Sequence, residues 1–125
     1  MAAKKRILAI DDELMLLEIV QKMLTPDYEV SVVSSASDAL HFLNTNTVDL
    51  ILLDILMPNI SGFDFLYDIR RIPSYMSVPI IIVSGKTGDD FLAEAKKSSA
   101  ADVIAKPIRK EILIESIEKA LSIKA

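Results

Sequence analysis

Leu50-Ile51-Leu52-Leu53-Asp54 decides the architecture, because four apolar residues in succession run into a single carboxylate. A strand with one face in water alternates apolar and polar residues, so an unbroken apolar run marks a strand covered on both faces. Ile80-Ile81-Ile82-Val83 is a second run of the same kind, and both are assigned to the centre of a sheet. Working outward, Arg6 to Ile10 forms an earlier strand. Tyr28-Glu29-Val30-Ser31-Val32-Val33 alternates and Asp102-Val103-Ile104-Ala105 is short, so these two suit sheet edges. Helical patterns fill the gaps, at about Glu13 to Leu24, Ala36 to Asn44, Gly62 to Arg71, Gly88 to Ser98 and Arg109 to Ile123. Ser35 with Asp38, Ser61 with Asp64 and Thr87 with Asp90 stand at capping-box spacing, while Pro26 and Pro73 mark helix exits. Strands alternating with helices predict a doubly wound α/β sandwich, its parallel sheet in the order 2-1-3-4-5 with helices on both faces. Right-handed crossovers are expected to send alternate helices to opposite faces.

A chain of 125 residues and 13.8 kDa fits one domain over 1–125. Hydrophobic residues at 51% and charged residues at 26% favour a packed core over disorder. A formal net charge of -4 gives no electrostatic footprint for nucleic acid or an anionic membrane, and contact with neither is expected. The absence of cysteine excludes disulfides and thiolate metal sites. The apolar run Ile7 to Ile10 is too short for a signal peptide and no stretch approaches a membrane span, so a cytoplasmic location is expected.

Ligands of open α/β sheets bind beyond the carboxyl ends of the strands, near the point where strand order reverses. Asp11 and Asp12 follow the first strand, Asp54 ends the third, Ser84 follows the fourth and Lys106 the fifth. These residues should meet at one rim. Three carboxylates and one ammonium sum to -3 + 1 = -2, which one divalent cation neutralises. An oxygen-only ligand set without histidine suits Mg²⁺, with Mn²⁺ as a substitute. An aspartate beside a cation and a lysine is equipped to attack phosphorus and become an aspartyl phosphate. Ser84 is placed to donate to a phosphoryl oxygen, and Gly85 leaves room for the incoming group.

Asp11-Asp12, Asp54-Ile55-Leu56-Met57-Pro58 with Gly62, Ser84-Gly85 and Lys106-Pro107 together resemble the receiver domains of two-component response regulators. The resemblance covers essentially the whole chain and implies a flavodoxin-like (βα)5 fold of the CheY-like kind. It implies that Asp54 is the phosphoacceptor and that Asp11, Asp12, Asp54 and the Leu56 carbonyl serve the metal, Asp11 through water. Ser84 and Lys106 would bind the phosphoryl group, with Pro58, Gly62, Gly85 and Pro107 shaping the site and a cis bond between Lys106 and Pro107. The implied donor is a phosphohistidine on a sensor histidine kinase or phosphotransfer protein, and the function is phosphorelay signalling to an output domain or target. Such a domain assists its own phosphorylation and dephosphorylation but is no enzyme otherwise. The family also implies a homodimer or target contact through the fourth helix, fifth strand and fifth helix, where Phe91, Leu92, Ile112 and Ile114 are candidate exposed contacts, with amphipathic core packing an equal explanation for some of them. Whether the chain acts alone or belongs to a longer regulator is left open.

Several positions depart from the family pattern. Val103 stands where receivers usually carry the switch aromatic, and Ile108-Arg109 replace the usual start of the last helix. They motivate an alternative, an interaction module that signals without phosphate. Leu56 and Lys86 stand at positions that influence phosphoryl lifetime in the family, and the apolar Leu56 predicts slow autodephosphorylation. Leu56 also stands where an Asp-nucleophile phosphohydrolase would carry its acid/base, which argues against that class. His41 lacks a second ligand and reads as surface or boundary packing, and the methionines read as core filler. Gly85-Lys86-Thr87 mimics a P-loop end, but Ile80 replaces the glycine that motif needs five residues earlier.

Overall fold

A computed structural model of the protein describes residues 3–58, 61–85 and 88–123. The two apolar runs are central strands, β3 (Leu50–Asp54) and β4 (Ile80–Ser84), and every residue of both is buried. They are joined by β1 (Arg6–Ile10), with β2 (Glu29–Val33) and β5 (Asp102–Ala105) at the edges, in a parallel sheet of order β2-β1-β3-β4-β5. The edge strands are the less buried ones, as their alternation and shortness require.

Five helices cover the sheet: α1 (Leu14–Leu24), α2 (Ala36–Thr45), α3 (Gly62–Arg70), α4 (Asp89–Lys97) and α5 (Lys110–Ile123). Leu17, Val20 and Leu24 of α1 and Leu113, Ile117 and Ala120 of α5 recur at helical spacing and pack on Ile7, Ala9, Leu50, Leu52, Ile81, Val83 and Ile104. The other face carries α2, α3 and α4, whose Leu43, Phe65, Leu66, Ile69 and Phe91 meet Leu8, Ile10, Ile51, Leu53, Ile80 and Ile82. Alternate helices therefore do not fall on opposite faces, contrary to the expectation. A right-handed crossover chooses its face from the direction in which the chain steps across the sheet. The chain steps one way from β1 to β2 and then the other way through β3, β4 and β5, so α2, α3 and α4 share a face.

Local differences from the sequence reading have identifiable causes. Helix α1 starts at Leu14 because Glu13 is an extended N-cap whose N–H donates to Asp11 Oδ1 at 2.9 Å. The Tyr28 N–H closes the end of α1 on the Leu24 carbonyl, which leaves β2 to begin at Glu29. Ser35 and Ser61 cap α2 and α3 by accepting from the Asp38 and Asp64 N–H groups at 3.1 and 3.4 Å. The Thr87 and Asp90 pairing involves a residue outside those described. A short 3-10 helix at Pro73–Tyr75, unforeseen from sequence, buries the Tyr75 ring and lets its hydroxyl share its one hydrogen between the Leu43 carbonyl, at 3.0 Å, and that of Asn46. Lys106–Pro107 is cis, as the resemblance implies, and Thr25–Pro26 is cis as well, which was unforeseen. Met57 is core, but Met15 and Met76 are 78% and 65% exposed, so the methionines are not uniformly filler. Phe91 is buried and Ile114 half-buried rather than exposed, while Leu92 and Ile112 stand in solvent. Among the described residues no helix is long and apolar enough to cross a membrane.

Candidate functional site

The strand register assembles the rim. Ile10 lies opposite Leu53, Asp54 opposite Val83 and Ser84 opposite Ala105, so Asp11, Asp54, Ser84 and Lys106 step across the sheet at neighbouring positions. Side chains alternate between faces along a strand. Asp11 and Asp54 share the parity of Ala9 and Leu52, and Lys106 that of Ile104, all on the α1/α5 side. Ser84 has the parity of Ile80 and Ile82, on the α2/α3/α4 side.

Asp11 and Asp54 are buried, at 4% and 2% exposure, and Asp12 is exposed. One carboxylate oxygen from each of the three lies within 4.8 Å of the others. Oxygens around an octahedral Mg²⁺ at 2.0–2.1 Å stand about 3 Å apart when adjacent and about 4 Å apart when opposite. The donor type therefore suits a hard divalent cation, and the 4.8 Å limit is slightly wider than the span between opposite ligands of one. Burial, reinforced by the charge of Asp54, pushes the Asp11 carboxyl up to about 6, although the Glu13 N–H and Lys106 oppose the shift. Asp54 Oδ1 accepts from the Leu56 N–H at 3.0 Å, which fixes the carboxylate against the loop that leaves β3.

Lys106 reaches the cluster from β5, held at its own N–H by the Ser84 carbonyl at 2.9 Å. Its Nζ lies 3.1 Å from Asp11 Oδ2 and 3.5 Å from Asp54 Oδ2. The shortest contact was not foreseen: Glu13 Oε1 stands 2.7 Å from the same nitrogen. Burial works against the ammonium, but the hydrogen bonds to Glu13 and Asp11 and the charges of Asp11 and Asp54 outweigh it and hold the lysine above its ordinary range. Among the described residues, with Glu13 included, the local balance is -4 + 1 = -3, one unit more negative than the sequence count. The available signal was its place directly after the acid pair, but its helical periodicity assigned it to α1.

The shaping residues occupy distinct places. A Cβ on Gly62 would lie 2.3 Å from the Ile55 carbonyl oxygen and 2.5 Å from Ile55 Cα, so α3 rests on the loop leaving Asp54 and tolerates no side chain there. A Cβ on Gly85 would meet nothing within 4 Å, which leaves open space beside the fully buried Ser84. Leu56 is 51% exposed at the rim and Pro58 is exposed beside it. Val103 is half-buried and packs against the α2/α3/α4 core rather than joining the acids. Lys86 lies outside the described residues.

Comparisons with known proteins agree with this geometry. The family model described as response regulator receiver domain matches residues 7–118. A 3',5'-cyclic-nucleotide phosphodiesterase regA of Dictyostelium discoideum is 33% identical over 123 residues, which are 95% of this chain and 16% of that protein. A protein-glutamate methylesterase/protein-glutamine glutaminase of Rhodopseudomonas palustris is 36% identical over 109 residues, 83% of this chain and 29% of the relative. The chain thus spans less than a third of either relative's length. The solved structure of the chemotaxis protein CheY4 of Vibrio cholerae superposes with a TM-score of 0.89 at 28% identity, covering 95% of this chain and 100% of that one. Fold, strand order and family match together establish that this chain belongs to the response regulator receiver domains.

Proposed function

We propose that the chain is a Mg²⁺-dependent phosphoacceptor in which Asp54 takes a phosphoryl group from a phosphohistidine of a sensor kinase or phosphotransfer protein. The observation that carries this reading is a buried aspartate at the end of a central strand, flanked by two further carboxylates and a lysine 3.5 Å away. Asp11, Asp12, Asp54 and the Leu56 carbonyl would hold the cation, which supplies charge neutralisation on the phosphoryl oxygens when bound.

An Asp54 carboxylate oxygen forms the new P–O bond as the P–N bond of the donor breaks. The imidazole departs with the bonding pair and takes one proton from water on the nitrogen that held phosphorus, so it leaves as neutral imidazole. The Leu56 N–H keeps the Asp54 carboxylate oriented during the approach. Lys106 offers its ammonium to one phosphoryl oxygen, Ser84 its hydroxyl to another, and the space over Gly85 admits the group. Leu56, half exposed at the rim, is available to cover the acyl phosphate and slow its hydrolysis.

Val103 cannot act by ring rotation, so the change at Ser84 would be passed on by the packing of β4, β5 and α4 toward an output domain, target or second copy. Exposed Leu92 and Ile112 are the apolar contacts available for such a partner. Incubation with Mg²⁺ and acetyl phosphate, read by intact mass, should add one phosphate to the wild type and none to Asp54→Asn. Equal labelling of the two proteins would refute the assignment. No labelling of the wild type, under conditions that label a control receiver, would favour a phosphate-independent interaction module.

A further inference from the structure

Resting on that reading, we propose that Glu13 is a positioning residue that detains Lys106 and so limits the rate at which Asp54 is phosphorylated. An ammonium has three N–H donors, and three carboxylate oxygens surround this one. Their distances are 2.7 Å to Glu13, 3.1 Å to Asp11 and 3.5 Å to Asp54. The lysine therefore sits closest to the carboxylate that takes no part in the chemistry and farthest from the one that does. A phosphoryl oxygen on Asp54 has to draw an N–H from one of these partners. Asp11 is a poor one to release, since it is buried and anchored by the Glu13 N–H at 2.9 Å. Glu13 is the releasable partner, because its side chain is 61% exposed and water can solvate the carboxylate as it leaves.

The arrangement follows from chain geometry. Glu13 is the N-cap of α1, two residues beyond Asp11, and the extended backbone of that position (φ -88°, ψ 102°) sets its side chain beside the carboxylate of Asp11. The same short turn thus supplies two ligand carboxylates and the competitor for the lysine. The competition is electrostatic and geometric together: the charge of Glu13 attracts Lys106, and its length brings Oε1 within hydrogen-bond distance.

These two components can be separated by variants that differ in charge and reach. Glu13→Gln removes the charge, and Glu13→Asp keeps it on a side chain one methylene shorter. Pseudo-first-order phosphorylation by acetyl phosphate at saturating Mg²⁺, at matched pH and ionic strength, should be roughly twofold to fivefold faster in both variants than in the wild type, the range expected when a half-exposed ion pair is released. The ¹⁵Nζ and ¹³Cε resonances of Lys106 should move in both variants in the phosphate-free protein, which a purely structural role for Glu13 would not produce. Urea midpoints confirm that the variants are folded. Unchanged rates, unchanged Lys106 resonances, or a Glu13→Asp variant that behaves as the wild type would overturn the proposal, the last by showing a field effect without positioning. Failure of the wild type itself to label would instead count against Asp54 as acceptor, and the Lys106 resonances would still decide whether Glu13 holds the lysine.

Discussion

Replacing Gly62 with alanine should destabilise the protein by about 2 kcal/mol and weaken its hold on the cation, although the residue carries no chemistry. The added Cβ would lie 2.3 Å from the Ile55 oxygen, 2.5 Å from its Cα and 2.7 Å from its carbonyl carbon, all backbone atoms that cannot rotate aside. Side-chain carbons keep at least 3.0 Å from such atoms, so α3 and the loop must separate by 0.7 Å or more. Over-packing of this kind costs about 1–3 kcal/mol, and three simultaneous backbone overlaps place it near the top of that range. Alanine returns roughly 0.5–1 kcal/mol through helix propensity, which leaves a net loss of about 2 kcal/mol. For a chain of this length roughly 4 °C of Tm accompanies each kcal/mol, so thermal unfolding followed by circular dichroism should show a fall of roughly 8 °C. The displaced segment sits between Asp54 and Leu56, whose 3.0 Å hydrogen bond orients the carboxylate, so Mg²⁺ titration should also report weaker binding. Gly85→Ala is the matched control: its Cβ meets no heavy atom within 4 Å, and its Tm should stay within about 2 °C of the wild type. Equal losses in the two variants, or an unchanged Gly62→Ala, would refute the close-approach argument.

Acid should oppose the metal. The Asp11 carboxyl titrates at about 6 in the fold against 3.8 for the free group, so between these values the native state carries more protons than the unfolded chain. Metal-free stability contributed by this group is therefore fully present below 3.8 and is lost as the pH rises through about 6, while Mg²⁺ affinity rises over the same interval. Isothermal titration should find binding about tenfold weaker near pH 5 than at neutral pH, because a proton occupies roughly nine in ten Asp11 carboxyls there; a pH-independent affinity would place Asp11 outside the cation's ligand field. Tyr75→Phe removes the hydroxyl that serves the Leu43 and Asn46 carbonyls and should cost about 1–3 kcal/mol in urea unfolding without changing phosphorylation. An unaltered midpoint would mean that water satisfies both carbonyls.

Elements defined by strong local patterns were legible in the sequence. Unbroken apolar runs identified β3 and β4 as central, and alternation or shortness identified β2 and β5 as edges. The rim followed from strand ends alone, since the residue that finishes β3 and those that directly follow β1 and β5 carry the charge. What escaped was set by contacts between distant segments. Glu13 looked like the first residue of an amphipathic helix, and it is Lys106, approaching from 93 positions away, that gives its side chain a partner. Gly62 looked like a residue after a turn, because the carbonyl that excludes its Cβ belongs to a segment whose path the sequence does not reveal. The face taken by each helix depended on the reversal between β2 and β3, a property of the whole sheet.

The division of side chains between the two faces has a consequence for how the molecule conveys information. Asp11, Asp54 and Lys106 are rooted in the layer beneath α1 and α5, whereas Ser84 is rooted in the layer beneath α2, α3 and α4. A tetrahedral anion that engaged Lys106 and Ser84 together would pull on both packings at once, like a rivet through two plates. Helices on either side would then feel the same event, and surfaces for new listeners could evolve on one plate while the fastening stayed as it is.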